Sequence, residues 1–250
     1  MTLNEDELKK LAQSYDRGDR ARAAYSSDLP TEEVNMLVYD PSDLVRNYIA
    51  KHPKLNSEGA VALSQDENWR VRSTVFAHPS LPTDVLIKAW HEYSKSLGEN
   101  IQKTNERVYG AKFILDNPSL PDSEIDSFIE DACNNRSKAI YTQYSLENLL
   151  SQHIAFCGLG SKETYIKLAR VQISDIAAIV LNSDNVPQEK KFAFILNGGD
   201  GGWNYLSNSS ARFQEGFKDY LNNYMPELEV DFSNLTISMV RTVFGEHNDR

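Results

Sequence analysis

Two adjacent stretches of this chain carry the same residues in the same order. From Asp40 it reads DPSDLVRNYIAKHPKLNSEGAVAL, and from Asp66 it reads DENWRVRSTVFAHPSLPTDVLIKAW. Asp40 and Asp66, Arg46 and Arg72, His52 and His78, and Leu55 and Leu81 are each 26 residues apart. A fixed period of that size belongs to chains built of stacked units, in which one unit cannot bury its own apolar face and the next must cover it.

The period can be followed outward on a Leu-Pro-cap tripeptide. It appears at Leu29-Pro30-Thr31, Leu55-Asn56-Ser57, Leu81-Pro82-Thr83 and Leu120-Pro121-Asp122, with weaker copies at Leu159-Gly160-Ser161 and Val186-Pro187-Gln188. Proline is favoured beside helix ends, because it lacks the N–H that a helix interior would use. The Thr, Ser or Asp that follows is expected to accept a bond from the exposed N–H groups of the next helix. Each unit therefore reads as helix, tight corner, helix. The successive spacings are 26, 26, 39, 39 and 27, so six units are expected, with insertions near 94–107 and 132–145. Helices of two to three turns are marginal alone in water and must be held by their neighbours.

The ends read as caps. Asn4 followed by Glu7 is a capping-box signature for a first helix ending near Tyr15. Residues 198–202 hold four glycines and one aspartate, and read as a helix stop and hinge. They lack the Gly-Lys-Ser/Thr ending of a phosphate loop, and Asp200 alone does not make a calcium loop. Two amphipathic helices, at 211–224 and 234–244, would follow as a terminal cap. The expected organisation is thus a repeat array over 1–196 and a Gly-rich hinge with a helical cap over 197–250.

Asp-Pro-x-x-x-Val-Arg followed by Ala-x-His-Pro-x-Leu resembles the leucine-rich repeat variant family and, more broadly, short HEAT-like helical repeats. The resemblance is specific in residues 40–63 and 66–90, weaker over 111–129 and marginal beyond 145. It implies an all-α, right-handed α-solenoid of about six short helix pairs. The best-known variant-repeat protein has a cysteine-ligated iron–sulfur module, and the two cysteines here, Cys133 and Cys157, do not supply its ligands. HEAT-like arrays mostly act as scaffolds and adaptors, although the alkylpurine DNA glycosylases among them are enzymes. A shared repeat transfers a shape rather than a task.

The residues that look most like chemistry stand in columns. Asp16, Asp40 and Asp66 precede Arg22, Arg46 and Arg72 by six residues, and in the fourth unit Asn105 and Ala111 replace both charges together. Joint loss points to mutual contact, and the reading preferred over an anion-binding stripe is a structural ladder of guanidinium and carboxylate. His52 and His78 fall at first-helix C-termini, where positive charge is favourable, and Asn117 takes their place in the fourth unit. An Asn cannot replace a catalytic imidazole. His91-Glu92 lacks the second histidine of a zinc-protease helix, and Cys157 at a corner reads as packing. No catalytic cluster, metal site or cofactor motif emerges.

Charge narrows the partners. The net charge is −10, and residues 113–250 hold 11 basic against 19 acidic side chains. Such a balance disfavours phosphate backbones, which need a basic surface. No segment is apolar enough to span a membrane, and the opening MTLNEDELKK is acidic, so a cytoplasmic protein is expected. The expected function is a non-catalytic scaffold or adaptor that binds another protein through its concave face or inserted segments. The alternative is a HEAT-like nucleic-acid binder or glycosylase-like enzyme using Arg-bearing loops. Trp69, Arg70, Trp90, Tyr93 and Arg107 are the candidate contact residues, since aromatics and arginine dominate binding hot spots.

Overall fold

A computed structural model of the protein describes residues 3–94, 101–134, 146–170, 175–228 and 230–248. Among them the chain is all-helical, with no strand and no helix long and apolar enough to cross a membrane. It divides into two compact units, residues 1–121 and 122–250.

The first unit holds α1 (Glu5–Ala12), α2 (Arg17–Tyr25), α3 (Thr31–Leu37), α4 (Asp43–Ile49), α5 (Ser57–Ser64), α6 (Trp69–Phe76), α7 (Thr83–Ser94) and α8 (Ile101–Leu115). The N-terminal helix closes its capping box between Asn4 and Glu7, and stops at Ala12 rather than near Tyr15. First helices stack on one another in order, α2 on α4, α4 on α6 and α6 on α8. Second helices lean on the next first helix: α3 on α4, α5 on α6, α7 on α8. The leucine of every tripeptide in this unit, Leu29, Leu55, Leu81 and Leu120, is buried, as are Val45, Val71, Ile49, Val75 and Ile114. Each such aliphatic side chain contributes roughly 1.5–3 kcal/mol of burial, which is what holds helices of seven or eight residues.

Capping falls one residue earlier than the tripeptide pattern implies. Pro30, Asn56 and Pro187 are themselves the N-caps, and only Asn56 among these uses a side chain, accepting from the Gly59 N–H at 2.8 Å. Thr31, Ser57 and Gln188 are already the first helical residues. Proline works here by ending in an extended conformation that sets the entry of the chain.

The second unit holds α9 (Asp122–Asn134), α10 (Leu146–Cys157), α11 (Lys162–Arg170), α12 (Ile176–Asn182), α13 (Gln188–Asn197), α14 (Gly199–Asn208), α15 (Ala211–Tyr224) and α16 (Ile237–Asn248). Two rows alternate: α9, α11, α13 and α15 pack in sequence, and α10, α12, α14 and α16 do likewise. The helix stop expected at 198–202 is present, since α13 ends at Asn197 and Gly198 is its C-cap. Gly198 caps both helices, Gly199–Gly202 form the first turn of α14, and the expected boundary at 196/197 falls within the last turn of α13, which packs on α14. A Cβ at Gly202 would come within 3.0 Å of the Ile195 backbone, so glycine lets α14 lie close against α13. Its helix cost, roughly 1 kcal/mol relative to Ala, is offset by packing, with Trp203 and Leu206 buried directly after it.

Candidate functional site

The arginine column is a ladder between consecutive repeats, with one correction to its membership. Arg46 donates from Nε and Nη2 to both oxygens of Asp66, at 2.6 and 3.0 Å, and from Nη1 to the Asp40 carbonyl at 2.8 Å. Arg20 does the same one unit earlier: 2.6 and 3.1 Å to Asp40, and 3.0 Å to the Ser14 carbonyl. Each arginine thus takes its own repeat's turn and the next repeat's aspartate, 20 residues on. The carboxylate beside each guanidinium raises the arginine pKa further, against the burial that opposes it. Asp40 and Asp66 also accept the N–H two residues on, from Ser42 and Asn68, both at 2.8 Å.

Asp16 and Arg22 do not belong to this ladder. Asp16 is the N-cap of α2, bonded to the Gly18 and Asp19 N–H groups, and Arg22 is exposed. They keep the six-residue offset but lie two residues out of the 26-residue register, in which Arg20 is the counterpart of Arg46 and Ser14 that of Asp40. Position 16 matches instead Ser42 and Asn68, also N-caps.

The histidine column is a second ladder, and it is neutral. His78 Nε2 donates to the His52 carbonyl at 3.1 Å, and His52 Nε2 to the Ser26 carbonyl at 2.9 Å. Each Nδ1 accepts a backbone N–H, from Lys54 at 3.1 Å and Ser80 at 3.2 Å, which assigns the Nε2–H tautomer. Burial lowers both pKa values, so the expected positive charge at a helix end is replaced by a neutral ring bridging two backbone groups. Asn117 performs both tasks with one amide: Nδ2 donates to the carbonyls of Phe76 and His78, and Oδ1 accepts from Ser119.

The arginine ladder ends at Arg72. Its Nη1 still reaches the Asp66 and Glu67 carbonyls, at 2.5 and 3.0 Å. Among the described residues, no aspartate of a following repeat fills its fork. Nη2 meets Glu106 instead, and Nε reaches only the Tyr93 hydroxyl, at 3.4 Å. Tyr93 is buried against Phe76, with ring centroids 5.3 Å apart, and burial raises its phenol pKa although Arg72 opposes the shift. Gly110 makes room for that ring on α8, since a Cβ there would overlap it. Beside these residues lies an open groove of about 540 Å³. Its charged lining is Arg72, Lys88 and Arg107 against Glu92 and Glu106.

Trp69, one turn before Arg72 on α6, packs on Tyr109, one turn after Glu106 on α8, with centroids 6.2 Å apart, and the Arg70 guanidinium lies 4.8 Å over the indole. Leu44, Arg70 and Tyr109 occupy equivalent positions of α4, α6 and α8, and all three are exposed. Tyr25 and Tyr48 meet edge-on at 5.6 Å between α2 and α4. The row of first helices therefore presents aromatic and aliphatic side chains along its outer face. Tyr25 is 77% exposed and Tyr109 54% exposed, values well above those of a core position.

The five candidate contact residues thus separate. Trp69 is half-buried and Arg70 exposed, both on this face, and Arg107 lines the groove. Trp90, at 1% exposure, is core and presents no surface to a partner. Tyr93 likewise packs inside, save for the hydroxyl that meets Arg72. The expected insertions lie partly outside the described residues, at 95–100 and 135–145. Tyr109, Glu106 and Leu44 carry no signal of their own in the sequence, and Arg20, a charged loop residue there, is not legible as a rung of the ladder. Extending the 26-residue register back from Arg46, and comparing residues 44, 70 and 109, would have found Arg20 and the Leu44–Tyr109 column.

No family model, no curated protein and no solved structure matches the chain.

Proposed function

We propose that this chain is a right-handed α-solenoid of short helix pairs acting in the cytoplasm as a non-catalytic scaffold. It binds another protein on the outer face of its first-helix row. The repeat period and the alternate stacking of helices within each unit support the architecture. The observation that carries the binding role is the Trp69–Tyr109 pair with Arg70 over the indole, continued by Leu44, Tyr48 and Tyr25. Exposed aromatics with an arginine are the composition of a binding hot spot, and their alignment by the repeat makes one continuous strip.

The two ladders argue against a catalytic or anion-binding use of the repeated Asp, Arg and His columns, because their polar atoms are already engaged with one another and with backbone. The test is affinity capture by the intact chain against a Trp69→Ala/Tyr109→Ala double variant, with a duplex-DNA gel shift at low salt in parallel. Loss of one specific captured protein with the double variant, whose melting temperature stays unchanged, is the expected result. Equal capture by both chains, or duplex retention with a steep salt dependence, would overturn the reading.

A further inference from the structure

We propose that the groove at Arg72 is a receptor for an aspartate side chain presented by an acidic turn of the partner. This rests on the scaffold reading above and names the chemistry its partner carries. The chain itself displays the guest. In the two complete rungs, Arg20 and Arg46 hold one aspartate through Nε and Nη2, and that aspartate accepts the N–H two residues on. At Arg72 the host half is present, with Nη1 anchored on the Asp66 and Glu67 carbonyls as Arg20 Nη1 is on those of Ser14 and Tyr15. The guest half is missing, because the period is interrupted by the segment that follows α7.

What stands there is a substitute of different geometry. Glu106 takes Nη2 alone, and the tyrosine hydroxyl is a long, weak acceptor for Nε. No single carboxylate bridges the fork, which is the arrangement that gives arginine its strongest carboxylate recognition. The groove opens at this place. Among the described residues, Arg72 and Lys88 line it together with Glu92 and Glu106. Phe76, Val85 and Ala89 supply an apolar floor for the flanking residues of the guest. A bound aspartate would displace the Glu106 carboxylate from Nη2 and take Nε from Tyr93, extending the ladder by one rung in trans.

The test uses the intact chain and the hexapeptide Ser-Gln-Asp-Glu-Asn-Trp, blocked at both ends and labelled for anisotropy, which copies residues 64–69 and hence the natural guest of Arg46. Saturable binding is expected, weakened about tenfold or more when the peptide's aspartate becomes asparagine and when the chain carries Arg72→Lys. Glu106→Gln removes the resident competitor and is expected to tighten binding about threefold or more. This gain keeps the idea testable if Arg72→Lys fails to fold. Equal binding of the aspartate and asparagine peptides, no gain with Glu106→Gln, or no binding to either chain would overturn the proposal. Loss of a captured protein in Trp69→Ala/Tyr109→Ala without peptide binding would leave the scaffold reading standing and remove only the groove.

Discussion

The two units solve the same backbone problem with different side chains. At the ends of several first helices a polar side chain accepts an N–H two residues ahead and donates to a carbonyl of the preceding repeat. His52 and His78 do this in the first unit, and Asn117 does it at that unit's end. In the second unit Ser183 does it, donating to the Phe156 carbonyl at 2.6 Å and accepting from the Asn185 N–H at 3.2 Å. Imidazole, amide and hydroxyl share only the ability to donate and accept at once. Position in the repeat therefore selects a hydrogen-bonding pattern rather than a residue type, which is why the column fades from the sequence while its role persists.

The ionic rungs behave differently. The first unit links repeats through buried Arg–Asp pairs, whereas the second has the more exposed pairs Lys167–Glu130 and Lys162–Glu189, Lys190 bonded to the Gly158 and Gly160 carbonyls, and an aromatic cluster of Phe192, Phe213, Phe217 and Trp203. The sharpest way to separate these two strategies is to break one rung of the first. We predict that Arg46→Ala lowers stability by roughly 3–5 kcal/mol, because it strands the buried Asp66 carboxylate and the Asp40 carbonyl. Lys190→Ala should cost roughly 1 kcal/mol, since water can replace it at carbonyls in a corner. Urea unfolding of both variants checks the ordering, and an Arg46→Ala midpoint equal to wild type would break it.

The equivalence of His, Asn and Ser can be tested next. His78→Ala should cost roughly 1–3 kcal/mol by leaving the His52 carbonyl and Ser80 N–H without a partner. His78→Asn should recover most of that loss. If Asn is no better than Ala in thermal melts, the shared-pattern account fails for this column.

A smaller effect follows from pH. Both imidazoles have folded pKa values below their ordinary one, chiefly through burial, with Lys54 adding repulsion at His52. A group depressed in this way contributes its stability fully above the unfolded value of about 6.5, and loses it as pH falls through the folded value. Protonating Nδ1 would also remove the acceptor for Lys54 or Ser80. Melting temperature should therefore drop between pH 7 and pH 5, and drop less in a His52→Asn/His78→Asn chain. Parallel slopes for the two chains would contradict the neutral-ring assignment. Least of all should Trp69→Ala and Tyr109→Ala disturb folding, by about 0.5 kcal/mol or less each, as expected for a pair on the outer face.

Much of this was legible in the residues, and the gaps have physical causes. The 26-residue period located the tripeptide corners and the partner columns, since a stacked unit must place like residues against like. Arg20 was passed over because Asp16 and Arg22 mimic the Asp–Arg offset, although Asp16 serves as a helix cap. The glycines at 198–202 mark the break between α13 and α14 but do not reveal that Gly199–Gly202 open the next helix, because helix propensity describes an isolated chain and not one pressed against Ile195. Trp90 and Tyr93 looked like surface anchors at an interruption of the period. They are core residues, because α7 packs against a lengthened α8 there. The groove at Arg72 has no local motif, since it arises from what the next repeat fails to supply.

The central claim is that Arg46 and Asp66 form one coupled rung between consecutive repeats. A double-mutant cycle on Arg46→Met and Asp66→Asn, read by urea unfolding, tests it most directly. The account predicts that the double variant is more stable than the sum of the single losses implies, by about 2 kcal/mol or more. Strictly additive losses would show that the two side chains act independently, and would contradict the ladder.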